Sequence, residues 1–123
     1  MNAMELANSI CKAIAEKKGQ DIVIVDVAGK TVLCDYFVIA SGRSTTQVRA
    51  LADNVDERIK RQYGLDPNRG EGIREGRWAV LDYGNVIVHL FNDESRDFYR
   101  LERLWENGDN IKKYVEEEKN TEE

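Results

Sequence analysis

Apolar residues recur at helical spacing over residues 3–18, where Ala3, Leu6, Ala7, Ile10 and Ile14 fall on one face. Lys17 and Lys18 suit the negative end of that helix, and Gly19 is placed to take the left-handed stop. The pattern then changes. Residues 21–27 (DIVIVDV) are β-branched and too few for a helix, which predicts a strand. Ala28, Gly29 and Lys30 turn the chain, and a second extended stretch ends in residues 36–40. Both runs are almost continuously apolar, as in strands covered on both faces.

Ser44 and Gln47 have the spacing of a capping box, and Val48, Leu51, Ala52, Val55 and Ile59 follow as one helical stripe that Gly64 closes. Residues 66–77 (DPNRGEGIREGR) hold three glycines and the only proline, and read as a long loop with room for a short strand. Two runs, 78–83 and 86–91, flank a two-residue Gly84-Asn85 turn, a strong hairpin signal. That turn sets Tyr83 opposite Val86, Asp82 opposite Ile87, Val80 opposite His89 and Trp78 opposite Phe91. One face then carries Ala79, Leu81, Tyr83, Val86, Val88 and Leu90, a core face. The other carries Trp78, Val80, Asp82, Ile87, His89 and Phe91; a slip of one residue would exchange the two. Asn92 or Asp93 can cap a third helix with Phe98, Leu101, Leu104 and Trp105 as its apolar side. Ile111, Tyr114 and Val115 add one loose turn.

The chain has 123 residues, one domain's worth, with 41% hydrophobic and 33% charged residues, an ordinary globular profile. No apolar run approaches the length of a membrane span. The first residues, MNAMELANSI, show neither a signal nor a transit pattern, so a cytoplasmic setting is expected. The formal charge is −5, but residues 115–123 (VEEEKNTEE) carry −4 of it. An acidic tail, 109–123, expected to be disordered, thus follows a nearly neutral body, 1–108. Neither part has the clustered cations that naked nucleic acid demands, whereas a basic protein partner suits the balance. Cys11 and Cys34 stand 23 apart with no metal or redox spacing, and read as free buried thiols.

Few residues are spaced for known chemistry. Gly29-Lys30-Thr31 ends like a phosphate loop, but Ile24 stands where the loop's first glycine belongs. Gly70, Gly72 and Gly76 miss the dinucleotide fingerprint because Glu75 occupies the third position, and a flexible connector is the simpler reading. No strand or loop aspartate has an acid two residues on, as paired-metal chemistry wants, so no metal site is expected. Asp82 and His89 share a face, diagonal across the hairpin; as a pair they would support a nucleotidyltransferase-like or hydrolytic enzyme, the alternative to a binding role. Residues 41–44 precede a helix N-terminus, and serve as a capping loop or an anion contact. Trp78 is either packed beneath a helix or the anchor for a partner, with Asp82, Asp93 and Glu94 as an acidic surround.

Several of these residues together resemble the ribosomal silencing factor family, also called Iojap-like. Residues 35–42 (DYFVIASG), with Ser44, Gln47, Val48 and Asp53, are similar to its first signature. Gly70-Glu71-Gly72, Trp78, Asp82-Tyr83-Gly84, Val88-His89, Glu94, Arg96, Tyr99, Leu101, Glu102, Leu104 and Trp105 follow its second in order. Asn85 departs from the aspartate common at that turn, and the segment after Gly108 extends past the family core. The resemblance implies a single α/β domain: a mixed sheet flanked by helices, of nucleotidyltransferase-like topology without the catalytic carboxylates. It implies no enzyme activity and no cofactor. It implies binding to the large ribosomal subunit through its fourteenth ribosomal protein, a steric block to small-subunit joining under nutrient limitation, and a part in large-subunit assembly. Carried over position by position, the contact residues are Trp78, Asp82, Tyr83, Glu94 and Tyr99. A two-fold dimer through the hairpin or the mixed face is the self-association alternative.

Overall fold

The structure is a computed structural model that describes residues 2–115, apart from the Phe98 side chain. Helix α1 (Ala3–Glu16) opens with a capping box: Asn2 Oδ1 accepts from the Glu5 amide, and Glu5 Oε1 accepts from the Asn2 amide. Its apolar stripe is buried as the spacing predicts. The stop differs, because Lys18 and not Gly19 takes the left-handed conformation, at φ 68. Gly19 is needed for closeness instead: a Cβ there would meet Ile14 Cγ2 at 2.2 Å.

Strands β1 (Gln20–Asp26) and β2 (Tyr36–Gly42) pair antiparallel, and their central residues are buried, as their apolar continuity predicts. Helix α2 (Thr45–Tyr63) runs from Ser44 to a left-handed Gly64. The expected capping box is displaced by one residue. Ser44 Oγ accepts from the Gln47 amide at 3.1 Å, but Gln47 Oε1 takes the Arg43 amide, not that of Ser44. Gln47 Nε2 also donates to the carbonyls of Lys17 and Lys18 at 3.1 Å, tying the end of α1 to the start of α2. Further along, Asn54 Nδ2 donates to the Ala13 carbonyl at 2.8 Å, and Arg58 pairs with Glu16.

Strands β3 (Arg69–Glu71), β4 (Trp78–Asp82) and β5 (Val86–Asn92) follow, the last two joined by the Gly84-Asn85 turn in the predicted register. Helices α3 (Asp93–Tyr99) and α4 (Leu101–Trp105) replace the single helix expected. Arg100 breaks it by adopting a left-handed conformation, φ 48. Leu104, expected on the apolar side, is 75% exposed because the break turns it outward, whereas Leu101 and Trp105 pack against the sheet. Strand β6 (Ile111–Lys113) stands where a loose helical turn was expected, and pairs antiparallel with β1. The ordered fold therefore continues past residue 108. The acidic residues 116–123 lie outside the described residues, as does the Phe98 side chain.

The sheet order is β3-β4-β5-β2-β1-β6, antiparallel except for the central β2–β5 pair. This is the mixed α/β sheet flanked by helices that the resemblance implies. Helices α1 and α2 cover one face with a large core that includes Leu6, Ile10, Val38, Leu51, Val88 and Leu90. The other face has a smaller core of Val23, Val25, Phe37, Ile39 and Phe91 under Leu101 and Trp105. Along β4, burial alternates residue by residue, so its outward row, Trp78, Val80 and Asp82, stays half-exposed.

The β3–β4 connection is not a loose linker. Gly72 and Gly76 have φ 72 and 73, and a Cβ would meet the Trp78 carbonyl at 2.1 Å or the Thr45 carbonyl at 2.4 Å. Gly29 shares the left-handed backbone, φ 84, but has open space around it. Gly29→Ala is therefore expected to cost about 1 kcal/mol, and Gly76→Ala roughly 3 kcal/mol or more, in urea unfolding. Equal losses would show that the contact with Thr45 is not a constraint.

Candidate functional site

The half-exposed row of β4 and the start of α3 form one surface. Trp78 enters β4 directly opposite Phe91. The Asn92 amide donates to the Arg77 carbonyl at 3.1 Å, holding the strand ends together where α3 departs. Asn92 Oδ1 then caps α3 by accepting from the Ser95 amide at 2.9 Å. This short path fixes Glu94 and Tyr99 beside Trp78. The three line a cavity of about 560 Å³ together with Arg77, Asn92 and Ser95.

The indole is held in a defined orientation. Its ring stacks on Phe91 at 4.9 Å between centroids and leans on Tyr99 at 4.8 Å. Its Nε1–H donates to His89 Nδ1 at 3.1 Å. Trp78 thus spends its polar group inward and presents hydrocarbon to the cavity. It is neither sealed beneath a helix nor freely projecting; it is half-buried, with Tyr99 47% exposed alongside. A large aromatic already held in place loses little conformational entropy on binding, the property of an interface anchor.

The same hydrogen bond decides the state of His89. With Nδ1 accepting from the indole, a neutral ring carries its proton on Nε2. That atom is buried and has no hydrogen-bond partner among the described residues. Phe37 packs edge-on against the ring at 4.8 Å. Burial lowers the imidazole pKa to about 4. The Asp82–His89 pair weighed from the sequence is not formed. Asp82 Oδ1 instead accepts from the Gly84 amide at 2.8 Å, within the hairpin turn, and His89 faces Trp78. The register is the predicted diagonal one, with His89 opposite Val80, but each side chain is taken by a nearer partner, the Gly84 amide for Asp82 and the indole for His89.

Of the five residues singled out, the structure brings three together. Trp78, Glu94 and Tyr99 share the cavity; Asp82 lies on the same face at the far end of β4. Tyr83 does not join them. It is 8% exposed, on the face packed by α1 and α2, with burial and then the charge of Asp56 pushing its hydroxyl pKa up. The surround is also less acidic than expected, because Arg77 lines the cavity along with Glu94, and Asp82 and Asp93 do not. The supporting roles of His89 and Phe91 were not singled out, although the alternation that placed them on the Trp78 face was the available signal. No group of three or more His, Cys, Asp or Glu side chains among the described residues could hold a metal ion. Both cysteines are free and buried, and burial raises Cys11 to about 12 and Cys34 to about 11, which makes them poor nucleophiles.

A buried neutral histidine gives stability a definite pH dependence. The unfolded chain takes up a proton near pH 6.5 while the folded chain does so only near 4. The His89 contribution is thus fully present above pH 6.5 and is lost as pH falls toward 4, up to about 3 kcal/mol. Denaturant unfolding between pH 7.5 and 4.5 should show this loss, and His89→Gln should flatten it. An imidazole resonance titrating near 6.5 in the folded protein would contradict the burial argument.

Comparison with known proteins agrees with this architecture. Residues 1–123 match the family model "Ribosomal silencing factor during starvation". The chain is 40% identical over 104 residues to ribosomal silencing factor RsfS of Zymomonas mobilis, covering 85% of this chain and 77% of that one. It is 32% identical over 94 residues to mouse "Mitochondrial assembly of ribosomal large subunit protein 1", covering 75% of this chain and 41% of the relative. A crystal structure of a Chromobacterium violaceum protein superposes with a TM-score of 0.82 at 35% identity, over 85% of this chain and 87% of the other. With the whole length matched by the model, the chain belongs to the ribosomal silencing factor family.

Proposed function

We propose that this protein is a ribosome-binding repressor that acts by occupancy: it docks on the large subunit and keeps the small subunit from joining. The observation that carries the reading is the pre-ordered aromatic shelf: Trp78 packs on both Phe91 and Tyr99, whose own centroids are 6.1 Å apart, at the rim of a cavity open to the surface. Family membership supplies the ribosome, and the name of the mouse relative points to the large subunit. The resemblance adds the fourteenth ribosomal protein of that subunit as the contact, and a role in damping translation during starvation.

In this reading Trp78 fills a pocket on the partner and Tyr99 widens the apolar contact. Glu94 and Asp82 meet Lys or Arg side chains, with Asp82 at the outer edge of the contact. Tyr83 is left out, because its side chain faces the helices. An interface near 800 Å² per partner is of ordinary size for a stable complex. It needs no bond-making chemistry, since competition with subunit joining is a matter of shared space. The same surface also serves an assembly role, where a maturing subunit is held apart from its partner. The enzymatic reading gains nothing from the geometry, because Asp82 and His89 are each committed elsewhere.

Trp78→Ala is expected to weaken co-sedimentation with purified large subunits by about 2 kcal/mol, roughly thirty-fold. Leu104→Ala, at an exposed residue that does not line the cavity, is expected to bind as the parent does. If folded Trp78→Ala, judged by circular dichroism, sediments with large subunits at unchanged affinity, the shelf is not the docking site.

A further inference from the structure

A second concavity, of about 980 Å³, opens at the end of the sheet where α1 stops, β1 begins and β6 runs out. Four cations line it, Lys18, Arg43, Arg96 and Lys113, against two acids, Asp21 and Glu102. Glu102 is already engaged, accepting from Arg96 Nε at 3.1 Å, while Arg96 Nη1 donates to Ser41 Oγ at 2.9 Å. With the Gln20 amide turned to accept, Arg43 donates to its oxygen from Nε and Nη2 at 3.1 and 2.9 Å. Among the described residues, Lys18, Arg43 and Lys113 make no ion pair. An excess of positive charge is thus gathered in one recess of a chain whose formal charge is −5. Like charges held close repel, and the repulsion falls when an anion enters.

The direction of β6 identifies that anion. Lys113 stands opposite Val23, and the Tyr114 amide donates to the Ile22 carbonyl at 2.8 Å, so the chain is travelling back along β1 toward Gln20. Val115 already lines the cavity. The next three residues are Glu116, Glu117 and Glu118. Lys18 precedes Asp21 by three residues, and three residues of extended chain can span at most about 10 Å, so the segment is long enough to reach back to the end of α1. We propose that the cavity is an intramolecular docking site for the acidic segment 116–123, with Glu116, Glu117 and Glu118 neutralising Lys18, Arg43 and Lys113. The segment acts as a releasable counter-anion, displaced by any phosphate-bearing or carboxylate ligand that binds these cations better. Nothing in this inference depends on the ribosomal reading.

The test compares amide resonances of Gly19, Asp21 and Arg43 in the full chain and in the full-length E116Q/E117Q/E118Q variant. These resonances are expected to differ between the two chains at low salt. The difference should collapse in 1 M salt, where the Debye length is about 3 Å. Inorganic phosphate should shift them further, per amount added, in the variant than in the parent, because the parent's tail competes. The variant R43Q/K113Q should lose the salt-sensitive difference while keeping its remaining spectrum. Superimposable low-salt spectra of parent and tail variant overturn the proposal. Equal phosphate responses in both also overturn it, leaving an open anion site. A difference that grows with protein concentration overturns it too, by making the occupant another copy's tail.

Discussion

The pairing of β4 with β5 across the Gly84-Asn85 turn is the constraint on which the surface chemistry rests. Tyr83 donates its amide to the Val86 carbonyl at 2.9 Å, and from there Val80 faces His89 and Trp78 faces Phe91. Side chains alternate between faces with a period of two, so a slip of one residue would send Trp78 under α1 and α2 and bring Tyr83 out. The slip is prevented from both sides. On the helix face, Ala79, Leu81, Val86, Val88 and Leu90 are all at or below 1% exposure. At the turn, Gly84 holds φ 93 while Asp82 Oδ1 accepts its amide.

Unequal cover of the two faces then converts the register into a surface. Helices of 14 and 19 residues bury one side of the sheet, whereas α3 and α4 have only 7 and 5 residues and cover part of the other. The uncovered part is the outward row of β4. Partial cover leaves polar atoms to satisfy, and the Trp78–His89 hydrogen bond does this for the indole while leaving His89 Nε2 without a partner among the described residues. One orphaned buried donor costs about 1–3 kcal/mol. That cost is tolerable where the neighbouring aromatic rings lock a ligand-facing side chain in place. The same bond removes His89 from acid–base work, which is why a site containing a histidine and an aspartate reads as a binding surface.

Most of the fold is legible because the apolar patterns are strong: α2 with its Ser44 and Gly64 ends, the two buried strands, and the hairpin all follow from spacing and turn chemistry. The errors have local physical causes. Lys18 takes the left-handed stop, and Gly19 serves instead to let the backbone pass close to Ile14. The third helix is broken at Arg100, a residue whose type gives no hint of positive φ. Strand β6, at three residues, is too short for any periodicity, and it forms because β1 offers an unpaired edge. At the site, alternation alone placed Trp78 with His89 and Phe91. What it could not show was the return of α3, which brings Glu94 and Tyr99 to Trp78 and leaves Asp82 at the distant end of the strand. Tyr83 was carried into the contact set by family resemblance against the register, and the register is what the structure follows.

The most direct test of the account is hydroxyl-radical footprinting of the protein, free and bound to purified large subunits, read at Trp78, Tyr99 and Tyr63. Tyr63 packs at the far side of the molecule, against the core under α1 and α2. The account predicts strong protection of Trp78 and Tyr99 on binding, with Tyr63 unchanged. Protection confined to other residues, with Trp78 as reactive as in the free protein, would contradict it.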